Sequence, residues 1–301
     1  MRTVIVIAGP TAIGKTALSI QLAQHFNTSI VSADSRQCYR EMNIGTAKPD
    51  AAELAAVTHY FINSHSIHDN INAADYEQLA LAYLDHIFTT TDVAIVCGGT
   101  GLYIKALCEG IDVMPDADKT VEAAIKRQFE VNGLAWLQQE LQAKDPVFFE
   151  QAEQQNPVRL IRALSFFETH QRSITDFKTQ TAKERPFRVI KIALDMPREL
   201  LYTRINHRVD LMMEAGLLQE IETLYPFRML KNLQTVGYSE FYEAGAFPLT
   251  AARIAEAVDK VKQHTRNYAK RQLTWFRKDQ AFAWFAPDDF NGVLDYIHTK
   301  N

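Results

Sequence analysis

The chain has 301 residues, 47% of them apolar, with a formal net charge of −4. Length and composition suit one large or two modest globular domains, and the mildly acidic balance offers no general pull towards nucleic acid. The three cysteines, Cys38, Cys97 and Cys108, form no CxxC pair and sit in or beside apolar or glycine-rich runs. They exclude a disulfide framework and a zinc site and point to a reducing cytoplasm. No apolar run reaches the length of a membrane span, and the N-terminus enters a strand pattern with no signal-type region.

The first element is the apolar run Val4 to Ala8, a buried strand. Gly9-Pro10-Thr11-Ala12-Ile13-Gly14-Lys15-Thr16 follows directly, and Ala17 to Ala23 carries apolar residues at helical spacing. A glycine-rich octet between strand and helix is a phosphate loop: its backbone wraps an anion, amides and the helix N-terminus face phosphate oxygens, and Lys15 adds a charge. Thr16 offers a hydroxyl to magnesium. The spacing does not say which polyphosphate is bound.

Ser29 to Ala33 reads as a short strand delivering Asp34-Ser35-Arg36-Gln37 to its C-terminal end, the edge of an open parallel sheet where ligands bind. Asp34 would hold magnesium, accept a proton or cap the following turn. Gly45 to Pro49 is a loop with one basic residue. His59 to Asn63 is a candidate strand and Ala73 to Phe88 an amphipathic helix. His65 and His68 lack a third ligand nearby and read as solvated loop histidines. Val93 to Cys97 is a buried strand closing on Gly98-Gly99-Thr100-Gly101, where an ATPase would ordinarily carry a carboxylate.

From Asp112 to Pro186 no strand pattern appears, and Glu122–Phe129, Gly133–Leu141 and Val158–His170 read as helices, the last with Arg159 and Arg162. The expected organisation is therefore an α/β core with a mostly parallel sheet over 1–111 and 187–301, interrupted by an all-helical insertion over 112–186. Val189 to Leu194 resumes the sheet. After Pro197 a helix places Arg204 and Arg208 four apart on one face, to converge on a phosphate or to pair with surface acids. A long helix from about Ala251 to Lys278 has a buried stripe of Ile254, Val258, Val261, Tyr268 and Phe276. Its other faces carry Lys260, Arg266, Lys270, Arg271, Arg277 and Lys278, interleaved near the end with Gln272, Thr274 and Trp275. Basic residues mixed with aromatics suit a nucleic-acid backbone with an exposed base.

In this order, the octet Gly9 to Thr16, Asp34-Ser35-Arg36-Gln37 with Tyr39-Arg40, Asn43 to Pro49, Gly98 to Tyr103, Arg162-Ala163-Leu164, Val236-Gly237-Tyr238 and Lys270 to Arg277 together resemble the tRNA dimethylallyltransferases, also called tRNA isopentenyltransferases. The resemblance implies transfer of a dimethylallyl group from dimethylallyl diphosphate to N6 of the adenosine immediately 3′ of the anticodon, with magnesium, on a monomer whose helical insertion moves on tRNA. Departures are Ile13 where serine is usual, Val158 where glutamine is common, and Glu122 near a frequent arginine.

Joined to the residue chemistry, this gives specific expectations. Gly9, Pro10, Thr11, Ala12, Ile13, Gly14, Lys15 and Thr16 hold the diphosphate. Lys15, Thr16 with Mg2+, and Arg208 or Arg204 stabilise the leaving oxygen. Asp34 takes the N6 proton and Thr100 orients donor or base. An extruded adenine and its anticodon loop would meet Asp34, Ser35, Arg36, Gln37 and Thr100; Val158, Arg159, Leu160, Ile161 and Arg162; Gln234, Thr235, Val236, Gly237, Tyr238 and Ser239; and Lys270, Arg271, Gln272, Leu273, Thr274, Trp275, Phe276 and Arg277. The rival readings are a small-molecule or nucleoside kinase that spends ATP in the same loop, and a non-catalytic RNA-binding module regulated by nucleotide.

Overall fold

A computed structural model describes residues 1–112, 114–177 and 181–300. They form two compact units, one of residues 1–110 and 184–301, the other of residues 111–183.

The first unit is built on a parallel sheet of β1 (Thr3–Ala8), β2 (Ile30–Ser32), β3 (His59–Tyr60), β4 (Val93–Gly98), β5 (Arg188–Leu194) and β6 (Ala283–Phe285), in the order β3-β2-β4-β1-β5-β6. All six residues of β1 are buried. Side chains alternate across a strand, so Val4, Val6 and Ala8 feed one apolar cluster and Ile5 and Ile7 the other. Burial on both faces is what an unbroken apolar run in a parallel sheet requires.

Helices α1 (Lys15–His25), α2 (Ala51–Ala56), α3 (Ala73–Ile87) and α4 (Gly101–Glu109) connect the first strands. The start of α3 is fixed by a capping box: Asn72 accepts from the amides of Ala74 and Asp75, and Asp75 accepts from the amide of Asn72. The second unit contains α5 (Lys119–Lys144), α6 (Pro146–Gln151) and α7 (Pro157–His170) around a core of Leu137, Leu141, Leu160, Ala163 and Leu164. Gly133, at φ 74°, kinks α5, and this is why the sequence pattern reads as two helices there.

The chain re-enters the first unit with Arg185, whose guanidinium donates to Glu77 Oε1 and to the carbonyl of Ala106, both at 2.8 Å. The pair lies inside the core, 9% and 8% exposed, so removing either partner strands a charge. Beyond β5 come α8 (Arg198–Glu214), α9 (Leu217–Leu224), α10 (Ser239–Ala244), α11 (Ala251–Phe276) and α12 (Phe290–Lys300). Helix α11 contributes Val261 and Phe276 to the first cluster and Ala269 to the second, so it serves both layers.

Two expectations need correction. The strand over His59 to Asn63 stops at Tyr60, because Phe61 and Asn63 take left-handed φ of 61° and 54°. His65 is not a solvated loop histidine: it is half-buried and bonded through Nδ1 to the Ser64 hydroxyl. The sequence pattern gives no sign of α2, α4, α6, α9, α10, β6 or α12, most of them too short to show a period.

The sheet is tightest where β4 ends. A Cβ added to Gly98 would lie 2.2 Å from the Ala33 carbonyl oxygen, while Ala33 donates to Cys97 O at 2.7 Å and accepts from the Thr100 amide at 3.1 Å. Gly98→Ala therefore drives backbones apart. We expect a loss of at least about 1–3 kcal/mol, the cost of overpacking a core, read as a lower urea midpoint at unchanged m value.

Candidate diphosphate and nucleobase site

Parallel register brings Ala8, Gly98 and Ala193 side by side, with Ser32 next to Cys97, so the loops after β1, β2, β4 and β5 all open on one edge. The loop after β1 has three left-handed positions: Gly9 (φ 145°), Ala12 (φ 63°) and Gly14 (φ 112°). The amides of Lys15 and Thr16 belong to the first turn of α1 and have no acceptor within the helix. Lys15 Nζ folds back onto the Pro10 carbonyl at 2.7 Å. Burial pushes its pKa down to about 8, opposed by Cys97 and Asp34 and reinforced by Arg208.

Both arginines of α8 belong to this loop. A terminal nitrogen of Arg204 lies 3.6 Å from where a Gly14 Cβ would be, and Arg208 is lowered by burial and then by the charge of Arg204. Among the described residues neither guanidinium has an acidic hydrogen-bonding partner, so the alternative of a surface ion pair is overturned. Three cations converge, none in an ion pair among the described residues, with the charges of Asp34 and Glu53 acting on Lys15 and Arg208 without direct contact.

On the facing side, Asp34 ends the β2 segment. Its Oδ1 accepts from the amides of Arg36 (2.9 Å) and Gln37 (3.4 Å), which locks the carboxylate over the turn it begins, and Oδ2 has no protein partner among the described residues. The turn-capping alternative is thus compatible with chemistry: one oxygen orients the group and the other is left to react. Thr100 accepts from the Ser35 amide at 3.1 Å. Beside it is Tyr268, which the sequence pattern assigned to the core stripe of α11. Burial, then the charge of Asp34, push its phenol up to about 12, against Arg36 and a hydrogen bond to Thr100. Only its chemistry, a hydroxyl within a stripe of hydrocarbons, could have marked it out.

The loop carrying Arg36 and Gln37 is held by a second lysine. Lys48 Nζ donates to Tyr39 O (2.5 Å), Asn43 Oδ1 (3.0 Å) and Asn63 Oδ1 (2.6 Å), spending all three of its protons, and burial lowers it to about 8. Gln37 Nε2 donates to the carbonyls of Thr46 and Ala47. The Asn43 to Pro49 motif is therefore scaffolding.

Helix α11 delivers its basic segment unevenly. Lys270, Arg271, Thr274 and Lys278 are exposed, as is Trp275 (43%), whose indole occupies the space a Gly101 side chain would need. Arg277 is tied to Asp195 Oδ2 at 2.8 Å and Arg266 to Asn206 Oδ1 at 2.6 Å. The side chains of Gln272 (6% exposed) and Phe276 (1%) are core, so neither is offered to a partner, and Leu273 is half-buried.

The same correction applies elsewhere. Tyr238 is fully buried, its hydroxyl donating to Glu220 at 2.7 Å and its ring filling the place of a Gly45 side chain; Gly237 is buried with φ 97°. Gln234 is exposed, and Thr235, Val236 and Ser239 partly so. In the second unit Leu160 and Ile161 pack inside, whereas Val158, Arg159 and Arg162 are exposed on α7.

For a divalent cation the edge offers the Thr16 hydroxyl oxygen, which has no protein partner among the described residues. Hard oxygen donors of this kind fit magnesium.

Fold and edge together define an α/β transferase with a cationic glycine-rich loop at the same sheet edge as a carboxylate. The chain belongs to the IPP transferase family, whose model matches residues 37–279. It is 44% identical over 301 residues to tRNA dimethylallyltransferase 1 of Phocaeicola vulgatus, covering 99% of both chains. With the tRNA dimethylallyltransferase of Cytophaga hutchinsonii it shares 45% over 297 residues, covering 99% of this chain and 97% of the relative. Among solved structures it resembles the tRNA isopentenylpyrophosphate transferase of Bacillus halodurans, at 34% identity and a TM-score of 0.71, covering 100% of this chain and 95% of that one.

The Lys15 titration makes a measurable prediction. The ammonium is charged below pH about 8 and neutral above it, and an anion prefers the charged form. Affinity for inorganic diphosphate should therefore fall as pH rises through 8, by up to roughly tenfold per unit. Lys15→Arg, which stays cationic, should lack that inflection in calorimetric titrations run side by side.

Proposed function

We propose that the protein transfers a dimethylallyl group from dimethylallyl diphosphate to the exocyclic N6 of the adenosine immediately 3′ of the anticodon in a subset of tRNAs, releasing diphosphate. The observation that carries the reading is the pairing of a cationic loop, with no ion-paired acid, with a half-bonded carboxylate after the next strand but one, in a chain whose relatives carry that activity in their names.

The adenine amine is a weak nucleophile, since its lone pair is delocalised into the ring, so both ends of the reaction need help. The loop amides and Lys15 grip the diphosphate, with Arg204 and Arg208 beside it. They stabilise the negative charge that grows as the bond from the allylic carbon to the bridging oxygen breaks. The Thr16 hydroxyl would hold magnesium, which would supply further charge neutralisation for the leaving group. As the new N6–carbon bond forms, Asp34 Oδ2 accepts the N6 proton, and Oδ1 keeps the carboxylate aimed through its two amide bonds. Thr100, steadied by the Ser35 amide and Tyr268, orients the base or the donor.

A stacked anticodon base cannot reach such an edge, so the adenosine must be flipped out. Lys270, Arg271 and Trp275 on α11 and the exposed Arg159 and Arg162 on α7 supply charge and a ring for the loop that carries it. We take the protein to act as a cytoplasmic monomer, by analogy with the family; none of its described helices is long and apolar enough to cross a membrane.

Incubation with unmodified tRNA, dimethylallyl diphosphate and Mg2+, followed by mass analysis of digested nucleosides, should show one isopentenyl adduct on adenosine and no consumption of ATP. ATP hydrolysis with unmodified nucleosides would instead mark a kinase or a nucleotide-regulated binder. Asp34→Ala should lower turnover by about 10²–10⁴ while tRNA affinity stays within a few-fold of wild type; near-normal turnover removes Asp34 as the base. Reversing Lys270 and Arg271 to glutamate should weaken tRNA binding most at low salt, and unchanged affinity in a filter-binding series would refute the basic face.

A further inference from the structure

Gln272 is a buried amide that uses both of its polar atoms. Its Oε1 accepts from the Thr11 amide at 2.9 Å, and its Nε2 donates to the Gly99 carbonyl at 2.9 Å. Thr11 is in the phosphate loop; Gly99 immediately precedes Thr100. The orientation of the amide follows from its partners, because a backbone N–H only donates and a carbonyl only accepts.

The contact is also sterically committed. A Cβ on Gly99 would lie 2.2 Å from Nε2, so the strand end is bare in order that the amide can reach it. One turn later Trp275 makes the same demand of Gly101. Gln272 thus ties the loop after β1 to the loop after β4, while Trp275 packs against the start of α4.

We infer that Gln272 is a positioning residue for group transfer: by bridging Thr11 and Gly99 it holds the phosphate loop in register with Thr100, so that donor and acceptor meet at a fixed separation. It touches neither substrate. Its influence is on the shape of the loop that grips the diphosphate, and the inference rests on the reading of that loop as a diphosphate site.

Two substitutions distinguish hydrogen bonding from space filling. Gln272→Met keeps the length and loses both bonds. In Gln272→Glu the protonated acid reproduces both, its hydroxyl donating to Gly99 and its carbonyl accepting from Thr11, whereas the ionised form faces the Gly99 oxygen with a negative charge. Burial raises the pKa of such a carboxyl, so the change falls in an accessible range.

The probe is inorganic diphosphate with Mg2+, titrated calorimetrically into wild type and both variants between pH 5 and 8, with anticodon stem-loop affinity and thermal midpoint measured on the same samples. The expected result is about tenfold weaker diphosphate binding by Gln272→Met with stem-loop affinity unchanged. The ratio of Gln272→Glu to wild-type affinity should be near one at low pH and should fall as pH rises. Wild-type affinity in Gln272→Met, or a ratio for Gln272→Glu that ignores pH, would reduce Gln272 to a filler of space and overturn the inference. If wild type itself fails to bind diphosphate, it is the proposed function that falls.

Discussion

The candidate site depends on positive charge that the protein does not neutralise. Lys15 of the loop and Arg204 and Arg208 of α8 are gathered together, partly out of water, with no ion-paired acid and only the charges of Asp34 and Glu53 acting on Lys15 and Arg208. Such an arrangement disfavours the empty fold and favours any state in which an anion fills the loop. The lowered pKa of Lys15 expresses the same tension, since shedding a proton is one way to relieve it. Lys191, by contrast, is flanked by Glu109 and Asp279 at 2.9 and 2.7 Å. Its hydrogen bonds to them outweigh burial and hold its pKa above the usual range. Similar side chains thus serve opposite ends according to whether an acid has been placed beside them.

Backbone contact decides which strand can present a carboxylate at this edge. The end of β4, the strand beside the phosphate-loop strand, is pressed against Ala33 so closely that no side chain fits at Gly98. An acid there is sterically forbidden, and Asp34 on the next strand is the one presented instead. Glycines that look like a flexible tract in the sequence are places where something else already occupies the space: Ala33 at Gly98, Gln272 at Gly99, Trp275 at Gly101 and Tyr238 at Gly45. Rigidity, not freedom, is what these residues provide.

Much of this was legible from the chain alone, and the limits have physical causes. Strands β1 and β4 announce themselves because burial on both faces leaves an unbroken apolar run, and β5 does so despite Lys191 in its middle; β3 and β6, with two and three residues, carry no period to read. The phosphate loop, Asp34 and the arginine pair follow from local spacing. Side-chain roles that depend on distant partners do not. Gln272 and Tyr268 look like members of a basic, aromatic helix until the fold shows one bonded to residues 261 and 173 positions away and the other beside Asp34. Tyr238 and Phe276 sit in stretches that identify the family, yet they are core. A motif records where substitution is constrained and not whether the constraint is a ligand or a neighbour.

The pairing of β1 with β5 joins Thr3 to Arg188, across the whole helical insertion. During synthesis from the amino end, the insertion has all of its own core partners once residue 183 has emerged, while the central strand of the sheet still lacks one neighbour. The segment in the middle of the sequence is therefore able to condense ahead of the domain that encloses it. Until β5 arrives, the first hundred residues present an open apolar strand edge that is a target for chaperones or for misassembly.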